Sequence, residues 1–109
     1  MKKLFALIFI IGLFVFNTNA QCTSCNTTVS SSNGTTRSAG NGSRLCFTGG
    51  TYTGSISSVH QNGSICVGSG ATFSPSSLNG FRGKIYVYGT ANLPNTTFAH
   101  NNAEIINLS

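Results

Sequence analysis

The residues best suited to chemistry in this 109-residue chain are its four cysteines, Cys22, Cys25, Cys46 and Cys66. Cys22 and Cys25 form a Cys-x-x-Cys pair, a spacing that occurs in thiol redox sites and in zinc-binding knuckles. The pair lacks the strand and helix context of a thioredoxin-like site, and Cys46 and Cys66 do not form a second knuckle. Structural disulfides are therefore the preferred interpretation of all four cysteines, with no metal and no cofactor.

Catalytic chemistry is limited by the scarcity of carboxylates, since Glu104 is the only acidic residue. Glycoside hydrolysis by the usual route uses two carboxylates, and calcium-assisted cleavage of acidic polysaccharides would need several. No Asp is available to orient His60 or His100 as a base, and we interpret both as solvated loop residues. The sequence therefore predicts that the chain is not an enzyme and has no catalytic residues.

A second group of side chains is suited to ligand binding. It consists of Arg82, Lys84, Tyr86 and Tyr88. Two tyrosines beside two cations can stack on a sugar ring and hydrogen-bond to its hydroxyls. The same residues also have a structural interpretation, in which Tyr88 covers Gly68 and Lys84 forms a cross-strand pair with Glu104. We prefer the structural interpretation and keep the sugar site as the alternative.

Threonine-rich faces of repetitive proteins can order water and bind ice. The segment "TYT" at residues 51–53 makes ice binding a function to consider. The stretches that correspond to it at a fixed spacing in the next copies read "ATF" (71–73) and "ANL" (91–93). The comparison predicts no regular outward threonine ladder, so ice binding is not expected.

The N-terminal segment at 1–20 has the composition of a secretory signal peptide. Lys2 and Lys3 precede an uncharged apolar stretch at 4–16, and small and polar residues follow up to Ala20. The apolar stretch is shorter than the roughly 20 residues that a membrane-spanning helix needs. We predict a signal peptide at 1–20 and a mature chain without a membrane span that is secreted or displayed on the cell surface.

The mature chain carries few charges. Of six basic residues, two lie in the predicted signal peptide and the others are scattered along the sequence. Isolated cations make no stripe that tracks phosphates, so nucleic acid is not an expected partner. Phe, Tyr, Ile and Val recur at regular places, which distinguishes the chain from a disordered one.

A repeat with a period of about 20 residues organises the chain. Each copy contains a pair of residues two positions apart, and the four pairs are Leu45/Phe47, Ile65/Val67, Ile85/Val87 and Ile105/Asn107. Alternation of period two, with Gly, Asn and Pro at the breaks, indicates short strands joined by tight turns.

The second half of each copy follows the same spacing less regularly. It relates Phe73 to Leu93 and Leu78 to Phe98, whereas Tyr52 in the first copy lies off the period. The first copy is therefore predicted to contain a shifted turn.

A repeat of this length without helical patterning predicts an all-β fold, a short parallel β-solenoid resembling a right-handed β-helix, in which each copy forms one coil. Equivalent residues would stack about 4.8 Å apart on successive coils. The aliphatic ladders then point inward, and Cys46, Cys66, Tyr86 and Ile106 point outward from the same strands. A leucine-rich repeat would need a Leu-x-x-Leu-x-Leu series that is absent, and a small β-sandwich built from hairpins is kept as the alternative fold.

The predicted stacking bears on the disulfides. It would bring the Cα atoms of Cys46 and Cys66 about 5 Å apart, within disulfide range. Cys22 would then pair with Cys25, or crossing pairs such as Cys22 with Cys46 would tether the N-terminal segment. Four cysteines allow three connectivities, and the sequence does not distinguish them.

The two ends of the repeat region differ in pattern. Residues 21–42 do not follow the period and are predicted to form a non-repeating N-terminal cap, with the coils at 43–109. The last copy extends one strand into a new coil and leaves a strand edge with Ile106 and Leu108 facing outward. We expect the coils to be truncated there and the edge to be covered by further coils or by a partner chain.

The stretches "LCFTGGTYTGSI", "NGSICVGSGATFSP" and "IYVYGTANLP" are similar to the Gly/Asn/Thr-rich parallel β-helix segments of secreted, adhesin-like surface proteins of Bacteroidetes. The resemblance covers residues 21–109 and includes the early Cys-x-x-Cys. In that family such segments often precede a long extracellular region that ends in a type IX secretion sorting domain. The resemblance implies a structural or adhesive role towards cell-surface components. The alternative is a carbohydrate-binding module, or the front part of an enzyme that acts on extracellular polysaccharide.

Overall fold

The computed structural model describes residues 21–109, and the predicted signal peptide at 1–20 lies outside the described residues. The described part consists of eleven short strands joined by turns, without a helix. They are β1 (Thr27–Val29), β2 (Arg37–Ala39), β3 (Arg44–Phe47), β4 (Gly50–Tyr52), β5 (Ser55–Val59), β6 (Ser64–Val67), β7 (Ala71–Phe73), β8 (Ser77–Leu78), β9 (Lys84–Val87), β10 (Thr90–Ala91) and β11 (Glu104–Asn107).

The strands form three parallel sheets, and successive coils add neighbouring strands to each sheet. One sheet has five strands in the order β1-β3-β6-β9-β11, and the other two have the orders β10-β7-β4 and β2-β5-β8. The chain is thus a β-solenoid of roughly 4 turns with about 20 residues per coil. The solenoid prediction is confirmed, and the alternative of a β-sandwich is wrong because every strand pairing is parallel.

The period of the repeat is kept in the five-stranded sheet. Leu45, Ile65, Ile85 and Ile105 are successive register partners. The first three are buried in the core, and Ile105 packs against it partly exposed. Burial of one aliphatic side chain per coil removes apolar surface from water at about 25 cal/mol per Å², which stabilises the stack.

The other two sheets depart from this period because the corners between strands vary in length. Tyr52 pairs with Phe73, one residue more than the period, and Phe73 pairs with Ala91, two residues fewer. The shifted turn predicted for the first copy is therefore confirmed. The predicted equivalence of Phe73 and Leu93 is wrong.

The equivalence of Leu78 and Phe98 is wrong for the same reason. Phe98 forms a parallel bridge with Phe81, which in turn bridges Val59. The Phe98 ring meets the Phe81 ring edge-on with centroids 5.1 Å apart. The face formed by β2, β5 and β8 is thus continued into the last coils by bridges between single aromatic residues and not by regular strands.

An aromatic cluster fills the core of the middle coils. Phe47 lies with its ring centroid 4.6 Å from that of Tyr52 and 5.1 Å from that of Phe73. The Tyr52 hydroxyl donates its proton to the carbonyl oxygen of Thr35 (2.5 Å), and the carbonyl oxygen of Ser55 lies within hydrogen-bond distance as a second acceptor (3.1 Å). Burial raises the pKa of Tyr52, while the Arg37 charge and a backbone hydrogen bond from Arg37 oppose that rise.

The segment predicted to be a cap contributes to the coils. Strand β1 pairs with β3, so that Val29 lies beside Phe47, and β2 pairs with β5. Asn26 and Arg44, which join the two coils by hydrogen bonds, are separated by 18 positions, fewer than the period of the repeat. The coils therefore begin before residue 43, and of the described residues only 21–26 precede the first strand.

Close stacking of the corners requires glycine at particular positions. Gly50 has a φ of 70°, a conformation that L side chains rarely adopt, and a Cβ there would collide with the Ser32 nitrogen. At Gly89 a Cβ would collide with the backbone oxygens of Gly68 and Ala71. Neighbouring coils thus touch backbone to backbone at these corners.

The coil that holds β11 has a more open core than the coils before it. A hollow there is lined by apolar and small side chains that include Val87, Ala91, Leu93 and Ile105. Phe98 is 51% exposed and Leu108 is 46% exposed. The prediction that further coils or a partner chain cover this edge stays a prediction.

Candidate functional site on the five-stranded sheet

The outer face of the five-stranded sheet holds most of the residues that the sequence pointed to. Register places Cys46, Cys66, Tyr86 and Ile106 in one column across β3, β6, β9 and β11. Residues 21–26, here called the N-terminal strap, are joined to the β3 and β6 part of this face. Tyr86 and Ile106 beyond the strap stay partly exposed, so the face has a covered half and an open half.

Two disulfides fasten the strap to the sheet. Cys22 is bonded to Cys66 with a Cα–Cα distance of 5.8 Å, and Cys25 is bonded to Cys46 with 5.9 Å. The disulfide interpretation of all four cysteines is thus confirmed. The pairings Cys46–Cys66 and Cys22–Cys25 are wrong. The alternative of crossing pairs that tether the N-terminal segment is confirmed, although Cys22 is bonded to Cys66 and not to Cys46. Cys46 and Cys66 are register partners, but each side chain points outward to a strap cysteine rather than sideways to the other.

Hydrogen bonds hold the strap at both of its ends. The Gln21 side-chain oxygen accepts from the Ser69 nitrogen (2.9 Å), and the Asn26 side-chain oxygen accepts from the Arg44 nitrogen (2.8 Å). Between them Ser24 has a φ of 57°, which turns the backbone between the two strap cysteines. These contacts position both sulfurs of the Cys-x-x-Cys pair over the sheet.

The strap passes next to Gly68. The side chain nearest to the position of a Gly68 Cβ is that of Cys22, whose Sγ would be 3.9 Å away. The interpretation that Tyr88 covers Gly68 stays a prediction.

The open half of the face brings together three of the four predicted binding residues. Lys84, Tyr86 and Tyr88 alternate with the buried Ile85 and Val87, and all three are partly exposed. Their common side of β9 follows from the period-two alternation of a strand.

Arg82 lies apart from these three residues. It is exposed and lines a corner hollow together with Ser58 and His60. The four residues that the sequence grouped therefore belong to two places, an aromatic face and a corner.

Charged side chains make two electrostatic contacts on the open half of the face. Lys84 Nζ lies 4.0 Å from Glu104 Oε2, with the two side chains 44% and 57% exposed. The predicted cross-strand pair is confirmed, and at this exposure such a pair contributes little to stability. The guanidinium carbon of Arg44 lies 5.1 Å from the Tyr86 ring centroid, a cation–π contact that spacing within one coil does not reveal.

The two histidines have the same structural role in different coils. His60 Nδ1 accepts a hydrogen bond from the Asn62 nitrogen, and His100 Nδ1 accepts one from the Asn102 nitrogen, each at 3.0 Å. Each imidazole thereby closes a corner that leads into the next strand of the five-stranded sheet. Within residues 21–109, no group of three or more His, Cys, Asp or Glu residues is available to hold a metal ion.

The sheet of β4, β7 and β10 carries a threonine column that a comparison at fixed spacing conceals. Thr51, Thr72 and Thr90 are register partners, and they alternate with the inward residues Tyr52 and Phe73. The argument that no regular threonine ladder exists is therefore wrong. Shifting the comparison of the first and second copies by one residue would have aligned Thr51 with Thr72.

No family model, curated protein or solved structure matches the chain. Across residues 21–109 there is no helix of the length and apolarity needed to cross a membrane.

Proposed function

We propose that the chain is a secreted or cell-surface structural and adhesive β-solenoid module without catalytic activity of its own. The observation that carries this proposal is the pair of disulfides joining the strap to two successive coils. Disulfides form and persist in oxidising environments, which include the extracellular space. A small domain with a limited core gains stability from such cross-links, as a module exposed to the medium requires.

Adhesion is tested by coating beads with the mature chain and measuring their retention under flow. The surfaces are cells and extracellular matrix of the species that produces the protein. We expect more retention than for beads coated with an unrelated β-solenoid. The double substitution Tyr86→Ala with Tyr88→Ala is expected to leave retention unchanged. Beads that wash off as readily as the control would contradict the adhesive role.

Carbohydrate binding is the second candidate, as a module or as the front part of a polysaccharide-active enzyme. It is supported by the neighbouring, partly exposed Tyr86 and Tyr88 with Lys84 on the same side of β9. Aromatic faces beside hydrogen-bond donors suit sugar rings. Glycan-array binding that disappears in the same double tyrosine variant would favour this candidate over the structural one, and an array without any bound glycan would contradict it.

A further inference from the structure

Four Asn-Gly pairs lie between the strands of the solenoid. An asparagine followed by glycine is prone to deamidation, because glycine has no Cβ to obstruct the attack of its backbone nitrogen on the asparagine side chain. The pairs are Asn33-Gly34, Asn41-Gly42, Asn62-Gly63 and Asn79-Gly80. All four contain the same reactive groups, so a difference in their reactivity has to come from the structure.

Backbone hydrogen bonds hold the connecting peptide of two of these pairs. The Gly63 nitrogen donates to the His60 carbonyl (2.8 Å), and the Gly42 nitrogen donates to the Asn62 carbonyl (3.2 Å). The second bond joins the corners of two successive coils, so it restrains both pairs. Attack by either glycine nitrogen requires its hydrogen bond to break first.

The pair Asn33-Gly34 is held through its asparagine. The Asn33 nitrogen donates to the Thr51 carbonyl (3.1 Å), and the Asn33 carbonyl accepts from the Thr53 nitrogen (3.0 Å). The Asn33 side-chain oxygen accepts from the Thr35 nitrogen (2.7 Å). Backbone and side chain are thus both fixed, and the Gly34 nitrogen cannot turn towards the Asn33 Cγ without loss of these bonds.

The peptide that joins Asn79 to Gly80 is the exception. Among the described residues, neither the Asn79 carbonyl nor the Gly80 nitrogen has a hydrogen-bond partner. Both residues are exposed, and the Asn79 side chain makes one long contact, from Nδ2 to Ser77 Oγ (3.4 Å). Rotation of this peptide breaks no backbone hydrogen bond and brings the Gly80 nitrogen towards the Asn79 Cγ.

We propose that Asn79 is a site of spontaneous deamidation in the folded protein. The Gly80 nitrogen attacks the Asn79 Cγ and forms a five-membered succinimide ring, while the bond from Cγ to Nδ2 breaks. Ammonia leaves and takes up the proton of the Gly80 amide. Water then opens the ring at one of its two carbonyl carbons, which yields an aspartyl or an isoaspartyl residue at position 79.

The isoaspartyl product lengthens the main chain at a point where the coils pair. The Asn79 nitrogen donates to the Ile56 carbonyl (3.0 Å), and the Gly80 carbonyl accepts from the Val59 nitrogen (3.1 Å). The additional main-chain methylene lies between these two bonds, and the next residue, Phe81, is fully buried. The isoaspartyl form therefore unfolds at a lower temperature than the unmodified chain.

The test follows each asparagine while the oxidised, folded mature protein is incubated for weeks at mildly alkaline pH. Mass spectrometry of proteolytic fragments detects the replacement of an amide by a carboxyl group, and chromatography separates aspartyl from isoaspartyl forms. Asn62 is the internal control, since glycine follows it as well. We expect Asn79 to react at least about tenfold faster than Asn62, because breaking a backbone hydrogen bond slows the reaction by about this factor.

Two further measurements separate the effect of the fold from that of the local sequence. In protein that is reduced and unfolded in guanidinium chloride, the four asparagines should react at similar rates. The variant Asn79→Gln should lose the fast reaction and leave the rates at the other three sites unchanged. Equal rates for Asn79 and Asn62 in the folded protein would overturn the proposal. A preference for Asn79 that persists at full size in the unfolded chain would overturn it as well.

Discussion

The first and last coils of the solenoid close their cores in different ways. In the first coil the inward side chains are short, and Val29 and Ala39 are both buried. In the last coil Leu93 and Ile105 are only partly buried, and Phe98 and Leu108 are largely exposed. The difference shows that small inward side chains suffice to close the core of the first coil, whereas larger apolar side chains stay partly uncovered in the coil that holds β11. We expect local stability to fall from the strapped coils towards β11.

The largest effect is expected from removing the strap's fastening. Replacing all four cysteines by alanine should lower the free energy of unfolding by about 5 kcal/mol, because two closed loops are lost from the unfolded chain. Urea unfolding without reductant measures the change. The variant with only Cys25→Ala and Cys46→Ala should lose about 3 kcal/mol. A four-alanine protein as stable as the wild type would contradict the expectation that the disulfides make the strapped coils more stable than the coil that holds β11.

A smaller but still large effect is expected at the corner of Gly89. Gly89→Ala would place a Cβ against the backbone oxygens of Gly68 and Ala71, so we expect a loss of about 2 to 3 kcal/mol in thermal or urea unfolding. Gly40→Ala is the matched control, because a Cβ there meets nothing within 4 Å. Equal stability of the two variants would mean that the later coils do not stack as closely as described.

The open end should tolerate truncation of its side chains. Phe98→Ala removes a half-exposed ring whose described aromatic partner is Phe81, and we expect a loss of about 1 kcal/mol with exchange protection reduced only near β11. Leu108→Ala should change stability by less than about 0.5 kcal/mol. A loss at Phe98 as large as that at Gly89 would show that the last coil is as firmly packed as the middle ones.

The smallest effect is a dependence on pH at Tyr52. Because burial raises the pKa of the folded-state phenol above 10.0, the stability that depends on the neutral form is complete below about pH 10. It is lost as pH rises from there through the folded-state pKa. Urea midpoints between pH 8 and 11 should fall more steeply for the wild type than for Tyr52→Phe, which cannot ionise. Parallel curves would contradict this account.

The sequence predicted the fold where spacing is uniform and failed where it is not. Leu45, Ile65 and Ile85 recur at one constant spacing because the coils from β3 to β11 contain the same number of residues between successive returns to the five-stranded sheet. The corners absorb extra or missing residues without loss of backbone pairing, so the partners of Phe73 and Phe98 and the threonine column could not be located by a fixed period.

The candidate site was likewise only partly predictable. Cys46 and Cys66 were correctly placed as outward neighbours, but their bonding partners depend on the path of the strap, which no repeat constrains. Arg82 was grouped with Tyr86 by sequence proximity, although a corner separates them. Arg44 on β3 contacts Tyr86 on β9 across the intervening strand β6, and no residue pattern within a single coil indicates this contact.

The disulfide between Cys22 and Cys66 joins two residues that are 44 positions apart and so closes a covalent loop around the first two coils. Tension applied at residue 21 would pass through that sulfur bond directly to β6. The first two coils would then carry none of the load and could not unravel, however weak their own backbone pairing. Mechanical extension would have to begin beyond Cys66, among the coils that no bridge secures.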